Sequence, residues 1–273
     1  MARDPPGTVV TVSDFKVSVD IVGGVGTLRW AEQEVDVETL RRALSLAADD
    51  AILAHELRRL QVELPEWDTA ARVALHRCGF RLEGRLRSAV EPEPGLFRDI
   101  LIYSRLAVDT VYGPHGFSGV LDSILPTKRV ISHALFRDEQ GLVLLLETSY
   151  KEDWELPGGV VEPHETPRAG GERETMEELG IEVTFGQPLL TDWMPPYLGW
   201  SDAVEFIFDG GVLAPEVASE LGTDDREIRA IHGVRPEDVH RHVTDLSARR
   251  IALMLTGFRG MTENGHPVPP TVH

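Results

Sequence analysis

Residues 154–181 read WELPGGVVEPHETPRAGGERETMEELGI, and the rest of the chain is organised around them. Leu156-Pro157-Gly158-Gly159 closes an apolar strand, and its two glycines are positions where no Cβ bars unusual dihedrals or the close approach of a ligand. Downstream, Thr166 predicts an N-cap, Pro167 a first helical position and Gly180 a left-handed stop. The helix between them carries Glu174, Glu177 and Glu178 at i, i+3 and i+4, which puts three carboxylates on one face within roughly 5–6 Å of each other. Like charges so close repel unless a cation compensates, and hard oxygen donors at this spacing suit Mg²⁺ or Mn²⁺. Arg173 and Glu165 supply the pairing that would orient them.

Glu-rich helical runs are ordinarily solvated faces. Here Gly159, Glu165, Arg173, Glu174, Glu177, Glu178 and Gly180 together fit GX5EX7REUXEEXGU, where U is a bulky aliphatic residue. At background frequencies near 7% per position, seven such matches have a chance on the order of one in 10⁸ per window. On these residues the sequence resembles the Nudix hydrolase family, closely over the box and more loosely over about residues 128–258. Two positions depart from the pattern: Thr175 stands where an aliphatic is usual, and His164 where a glycine commonly precedes the glutamate.

The resemblance implies an α/β/α sandwich with a mixed sheet for residues 128–258. It implies an Mg²⁺- or Mn²⁺-dependent pyrophosphohydrolase that cleaves a phosphoanhydride bond of a nucleoside diphosphate linked to another group: ADP-ribose, a nucleotide sugar, a dinucleotide or a nucleoside triphosphate. Glu174 and Glu178 would be the principal metal ligands, Glu177 a ligand for a further ion and the Gly158 carbonyl another, with Glu165 and Arg173 orienting the set. Glu227, in DDREIRAI, is a downstream candidate for the general base, against the blander reading of a surface glutamate at a strand edge. Family members often dimerise, so a homodimer is a further implication.

The 273 residues, 42% of them hydrophobic, suffice for two modest domains with cores of their own. A single cysteine, Cys78, excludes an internal disulfide framework and fits a reducing, cytoplasmic setting. The start, Met1 to Pro6, has no apolar leader, and the longest apolar run, Leu142 to Leu146, is too short to span a bilayer, so no membrane association is expected. A formal net charge of −18 disfavours a nucleic-acid polymer as partner. A small anionic nucleotide would need its countercharge supplied locally.

Residues 1–110 predict a smaller α+β domain in the order βαβαββ. A strand over 8–22 turns at Gly23-Gly24-Val25-Gly26 into TLRWAEQ, and a helix from Val37 to about Leu57 has Leu40, Ala43, Leu44 and Ala47 on one face. A strand LRRLQVEL, a helix from Asp68 to Cys78 and two strands joined through Glu91 to Gly95 follow. Residues 57–108 resemble the C-terminal half of a GNAT acyltransferase through ALHRCGFRLEGRLR and FRDILIYSRL. That family holds the coenzyme A pyrophosphate on a Gly-rich loop at a helix N-terminus, where this chain reads AEQEVDVETL, and its frequent tyrosine acid aligns with Leu75. A degenerate, inert module is therefore expected.

Residues 111–127 read as a linker and 259–273 as a flexible tail without periodicity. Between them, strands are expected at RVISHALFRD, GLVLLLETS, IEVTFGQPLL, AVEFIFDGGVL and EIRAIHGV, with a helical segment from Pro236 to about Met254. Trp193 and Tyr197, shortly after the box, and Gly159 are the expected substrate contacts, the two aromatics offering faces on which a base stacks. Prolines at this distance past the box resemble ADP-ribose pyrophosphatases. Trp154 and Trp200 either line the same cleft or pack, and His133 reads as a sheet-face histidine. A non-catalytic nucleotide sensor and a bifunctional protein with an active acyltransferase half stand as alternatives, the first opposed by three intact carboxylates, the second by the missing loop.

Overall fold

The computed structural model describes residues 8–31, 34–113, 115–197, 199–214 and 227–269, and the chain divides into two compact units, 1–126 and 127–273. In the first unit the β-branched run near the start is not one strand but two, β1 (Thr8–Val12) and β2 (Phe15–Val22). Ser13 and Asp14 both take positive φ, 47° and 68°, and turn the chain tightly enough for Val12 to face Phe15. Gly23 and Gly24 repeat the device before β3 (Val25–Trp30). Then come α1 (Val37–Asp49), β4 (Arg59–Pro65), α2 (Thr69–Arg77), β5 (Arg81–Glu93) and β6 (Leu96–Leu106), in a six-stranded sheet of order β1-β2-β3-β4-β6-β5. Leu40, Ala43, Leu44 and Ala47 of α1 are buried against Phe15, Val17, Val19 and Leu28 of the sheet, as their helical spacing requires.

The start of α1 bears on anion binding. The Asp36 carboxylate accepts the backbone N–H groups of Glu38 and Thr39 at 3.0 and 2.9 Å and the Thr39 hydroxyl at 2.7 Å. The helix amides that would meet a pyrophosphate therefore already hold an acid of this chain. Part of the expected linker is also structured: α3 (Ser118–Ile124) buries Val120, and the Ser123 hydroxyl accepts the Leu82 N–H of β5 at 3.1 Å.

The second unit contains β7 (Arg129–Asp138), β8 (Val143–Thr148), β9 (Gly158–Val160), α4 (Pro167–Leu179), β10 (Leu190–Met194), β11 (Ala203–Leu213), β12 (Ile228–Val234), α5 (Asp245–Leu255), β13 (Gly260–Glu263) and β14 (His266–Pro267). The sheet runs β12-β8-β7-β11-β10-β13-β14, with β9 paired to β7. It is mixed, β11 lying parallel to β7 and β13 parallel to β10. Alternate residues go to opposite faces. Leu135, Leu145 and Ile207 pack on Ile251 and Met254 of α5, while Ala134, Phe136, Leu146 and Phe208 pack on the other side with Leu179 of α4. These are the three layers expected of α/β/α.

Two expectations for this unit are corrected. The predicted strand at 181–190 is a loop up to Leu190, because Ile181, Val183 and Phe185 pack into the α4 core individually and add no ladder. The predicted flexible tail instead forms a hairpin on the sheet edge, with Gly260 to Glu263 opposite Leu190 to Trp193. Short-range periodicity cannot show this, since the partner strand lies about 70 residues earlier. Residues 270–273, the end of that tail, lie outside the described residues. Among the described residues no helix is long and apolar enough to cross a membrane.

Replacing Asp36 by alanine uncaps α1 while leaving its buried face intact. The first unit is expected to lose about 1 kcal/mol of stability, read as a lower urea midpoint at unchanged m-value.

Candidate active site

The box folds as its local signals dictate. Thr166 caps α4 by accepting the Ala169 N–H at 3.2 Å, Pro167 sits in the first turn, and Gly180 ends the helix at φ 71°. Thr175, at the aliphatic position of the pattern, is fully buried and gives its hydroxyl to the Gly171 carbonyl at 2.8 Å, so the polar atom carries no unpaired cost. His164 has φ 74°, the left-handed conformation that makes glycine usual there.

Arg173 gathers the acids. Its guanidinium lies 3.0 Å from each of Glu165, Glu174 and Glu177, and it also donates to the Val160 carbonyl at 3.3 Å. Glu165, bonded by Arg173 and then by the Glu162 N–H, is held below the usual carboxylate range. Glu178 stands apart from Arg173 and accepts the Gly158 N–H at 2.7 Å. Burial pushes its carboxyl up to about 8, an effect the Gly158 bond and the nearby His133 only partly offset. Glu174 is likewise raised, chiefly by burial.

Gly158 is required by its φ of 135° and by the backbone beside it, and Gly159 leaves the Glu174 carboxylate where it lies. A Cβ on Gly159 would come within 2.8 Å of the Glu174 carboxylate, and one on Gly158 within 2.1 Å of the Ser132 carbonyl. Gly158, Glu165, Arg173, Glu174, Glu177 and Glu178 are thus brought together, with Gly159 against the acids. Among the described residues no three His, Cys, Asp or Glu side chains converge as a ready metal cage, since Arg173 draws three of the acids to itself.

Beside this cluster a cavity of about 710 Å³ opens along the α5 face of the sheet, lined by His133, Glu155, Leu156, Glu205 and Ile207 and by α5. His133, which lines this cavity, is the sheet partner of Gly158, and Glu155 and Leu156 just before the glycine loop line it too. Its floor is a buried ionic chain that sequence reasoning missed. The His133 Nδ1 is 2.8 Å from Glu205, Glu205 is paired with Arg250, and Arg250 lies 3.5 Å from Asp192. Burial alone would raise Glu205, but Arg250 and His133 outweigh it and hold the carboxyl at about 2. Burial likewise opposes the His133 charge, and Glu205 outweighs it, so His133 titrates above its ordinary value.

The aromatics separate. Tyr197 lines the cavity. Trp193 does not: alternation along β10 sends Asp192 and Met194 to the cavity face and Trp193 to the other, where Lys128 sits 5.1 Å from its ring centroid. Trp154 is sandwiched between His232 and His242 at 3.9 and 4.1 Å between centroids, with both faces covered. Trp200 lies under Arg129 at 4.6 Å. Glu227 is exposed just before β12, and its backbone carbonyl accepts the Ser149 N–H at 2.8 Å.

Residues 126–254 match the family model described as NUDIX domain. The C-terminal unit carries a NUDIX domain. Within it the chain is similar to a MutT-like protein of Streptomyces ambofaciens, 49% identical over 45 residues, 16% of this chain and 29% of the relative. It is also similar to CTP pyrophosphohydrolase of Escherichia coli (strain K12), 42% identical over 62 residues, 21% of this chain and 44% of the relative. The chain thus spans less than half the length of either curated relative. A ribosomal-protein-S5-alanine acetyltransferase structure from Vibrio fischeri is similar at 19% identity and TM-score 0.31, over 35% of this chain and 55% of that one. The NUDIX match ends at 254, so the β13–β14 hairpin of this unit lies beyond it.

Replacing Arg250 by methionine strands the Glu205 charge inside the NUDIX unit and is expected to destabilise it by about 3–5 kcal/mol in urea titration. The pH dependence has a definite sign. With Glu205 held at about 2 against an ordinary 4.5, its stabilisation is complete above pH 4.5 and is lost as pH falls through about 2. Raised His133 contributes below 6.5 and loses that contribution as pH climbs through its folded value. Wild-type stability should therefore fall more steeply below pH 4.5 than that of Glu205→Gln, measured by thermal unfolding across pH.

Proposed function

We propose that the NUDIX unit is a divalent-cation-dependent pyrophosphohydrolase that cleaves a phosphoanhydride bond in a nucleoside diphosphate derivative. ADP-ribose, nucleotide sugars, dinucleotides and nucleoside triphosphates fall within this class. The observation that carries the reading is the meeting of Glu165, Arg173, Glu174, Glu177 and Glu178 around the Cβ-free Gly158-Gly159 turn. The similarity to CTP pyrophosphohydrolase supports the same reaction class.

Glu174, Glu177, Glu178 and the Gly158 carbonyl would hold Mg²⁺ or Mn²⁺, an all-oxygen set of the hardness these ions prefer. The space that a Cβ on Gly159 would fill beside Glu174 gives room for such an ion or for a phosphate oxygen. When bound, the cation supplies the positive charge that lets an anionic nucleophile approach phosphorus. The chain's own residues prepare that site. Arg173 offsets the repulsion between the acids by pairing with Glu174 and Glu177, the two of its partners that would also hold the cation. Glu165 stays on Arg173 and orients it, while the Gly158 N–H fixes the Glu178 carboxylate against the loop.

The test is product analysis by mass over a panel of these nucleotides with Mg²⁺, for wild type and Glu178→Gln. Phosphoanhydride cleavage by wild type is expected, with a loss of at least about 10²-fold in the variant. Equal rates in the two proteins would defeat the assignment.

A further inference from the structure

The C-terminal hairpin that replaces the expected tail is built into the cavity wall. β13 and β14 are joined by Asn264 and Gly265 at φ 53° and 74°, the two-residue Asn-Gly hairpin turn with positive φ at both positions. Three anchors fix this turn. The fully buried Asp192 carboxylate accepts the Thr262 hydroxyl at 2.5 Å and the Gly265 N–H at 2.9 Å. The Asn264 N–H donates to the Trp193 carbonyl at 2.8 Å, and the Asn264 carbonyl accepts from Arg249 at 3.2 Å. Gly265 itself packs on α5, where a Cβ would meet Leu246 and Arg249 at 3.2 and 3.3 Å.

Asp192 thus ties the turn to the buried ionic chain, one carboxylate oxygen accepting the turn's two bonds while the other lies 3.5 Å from Arg250. Asn264 lines the cavity with Met194, Pro195, Tyr197 and Leu246, and its backbone groups are both engaged while its carboxamide makes no hydrogen bond among the described residues. Asn264 is exposed at a wall that carries Tyr197, Met194 and Leu246 beside the polar Ser247 and Arg249, and an amide with one acceptor and two donors there can pair with the polar edge of a flat heteroaromatic ring stacked on such a surface.

We propose that Asn264 reads the nucleobase edge of the nucleotide, and that Asp192, through Thr262 and Gly265, is the positioning residue that holds it at the cavity wall. This rests on a nucleotide occupying the cavity, as in the function proposed above. It adds a specificity element from outside the NUDIX match, supplied by the last described hairpin of this chain.

The test measures kcat and KM with Mg²⁺ for the four common nucleoside triphosphates and for base-free 5-phosphoribosyl 1-diphosphate, together with calorimetric binding of the four nucleoside diphosphates. The variants are Asn264→Gly, which keeps the turn's φ, Asn264→Asp, which exchanges the amide donors for a charged, acceptor-only carboxylate, and Thr262→Val. Wild type is expected to rank the bases. Asn264→Gly should lose about tenfold in kcat/KM on the preferred base and flatten the ranking, with the base-free probe unchanged. Asn264→Asp should reorder the ranking, and Thr262→Val should raise KM for the preferred base at unchanged kcat. An unchanged ranking in Asn264→Gly, an equal loss on the base-free probe, or a wild type that does not discriminate or bind any base overturns the proposal. If wild type binds but hydrolyses none of the panel, the hydrolase reading fails alone, and the binding ranking in the Asn264 variants decides this one.

Discussion

Charge repulsion on one face of α4 is the constraint from which the NUDIX unit is built. Glu174, Glu177 and Glu178 stand on successive turns, and Glu165 is brought back to them by the loop. Left alone, four carboxylates this close would drive the helix and loop apart or take up protons. Arg173 answers part of the problem by bridging three of them, and Glu178, which it does not reach, takes the other course and is pushed toward its protonated form by burial. The two solutions are complementary.

The same logic recurs on the other side of the sheet with a different outcome. There Glu205 and Asp192 are almost completely buried and are answered by Arg250 and His133, so the charges are compensated within the chain. In the first cluster Arg173 reaches three of the four acids and Glu178 is left to burial, whereas in the second both buried acids have a base of the chain beside them. His133 joins them, as the sheet partner of Gly158 and the hydrogen-bond partner of Glu205.

What was legible in the sequence follows from the range of each interaction. The box could be read because its signals are local: a cap at Thr166, a stop at Gly180, glycines at 158 and 159, and carboxylates at helical spacing, all within 28 residues. The layered fold was legible in the order of strand-like and helical segments taken with the family resemblance of the box. The cavity floor was not, because His133 and Glu205 are separated by 72 positions and Glu205 and Arg250 by 45, and neither pair leaves a periodic trace. Trp193 was misplaced for a related reason. Its residue type suits a base, but the parity of β10, set by Asp192 being buried, turns it away. The tail was misread because Gly and Pro content registers the turn at Asn264-Gly265 and says nothing of a parallel partner far upstream.

The first unit shows how little sequence is needed to close a binding feature. Its α1 begins with the free N–H groups that any helix offers, and an anion would be attracted to them by the helix dipole. Asp36 puts a carboxylate of the chain in that place, bonding two of those amides and the Thr39 hydroxyl, and Glu38 adds a second negative charge in the first turn. A pyrophosphate approaching there would have to displace an internal acid and then sit beside another. The sheet does not depend on that residue, because it is held by buried residues such as Phe15, Leu44 and Leu101, on which the identity of one capping residue makes no demand.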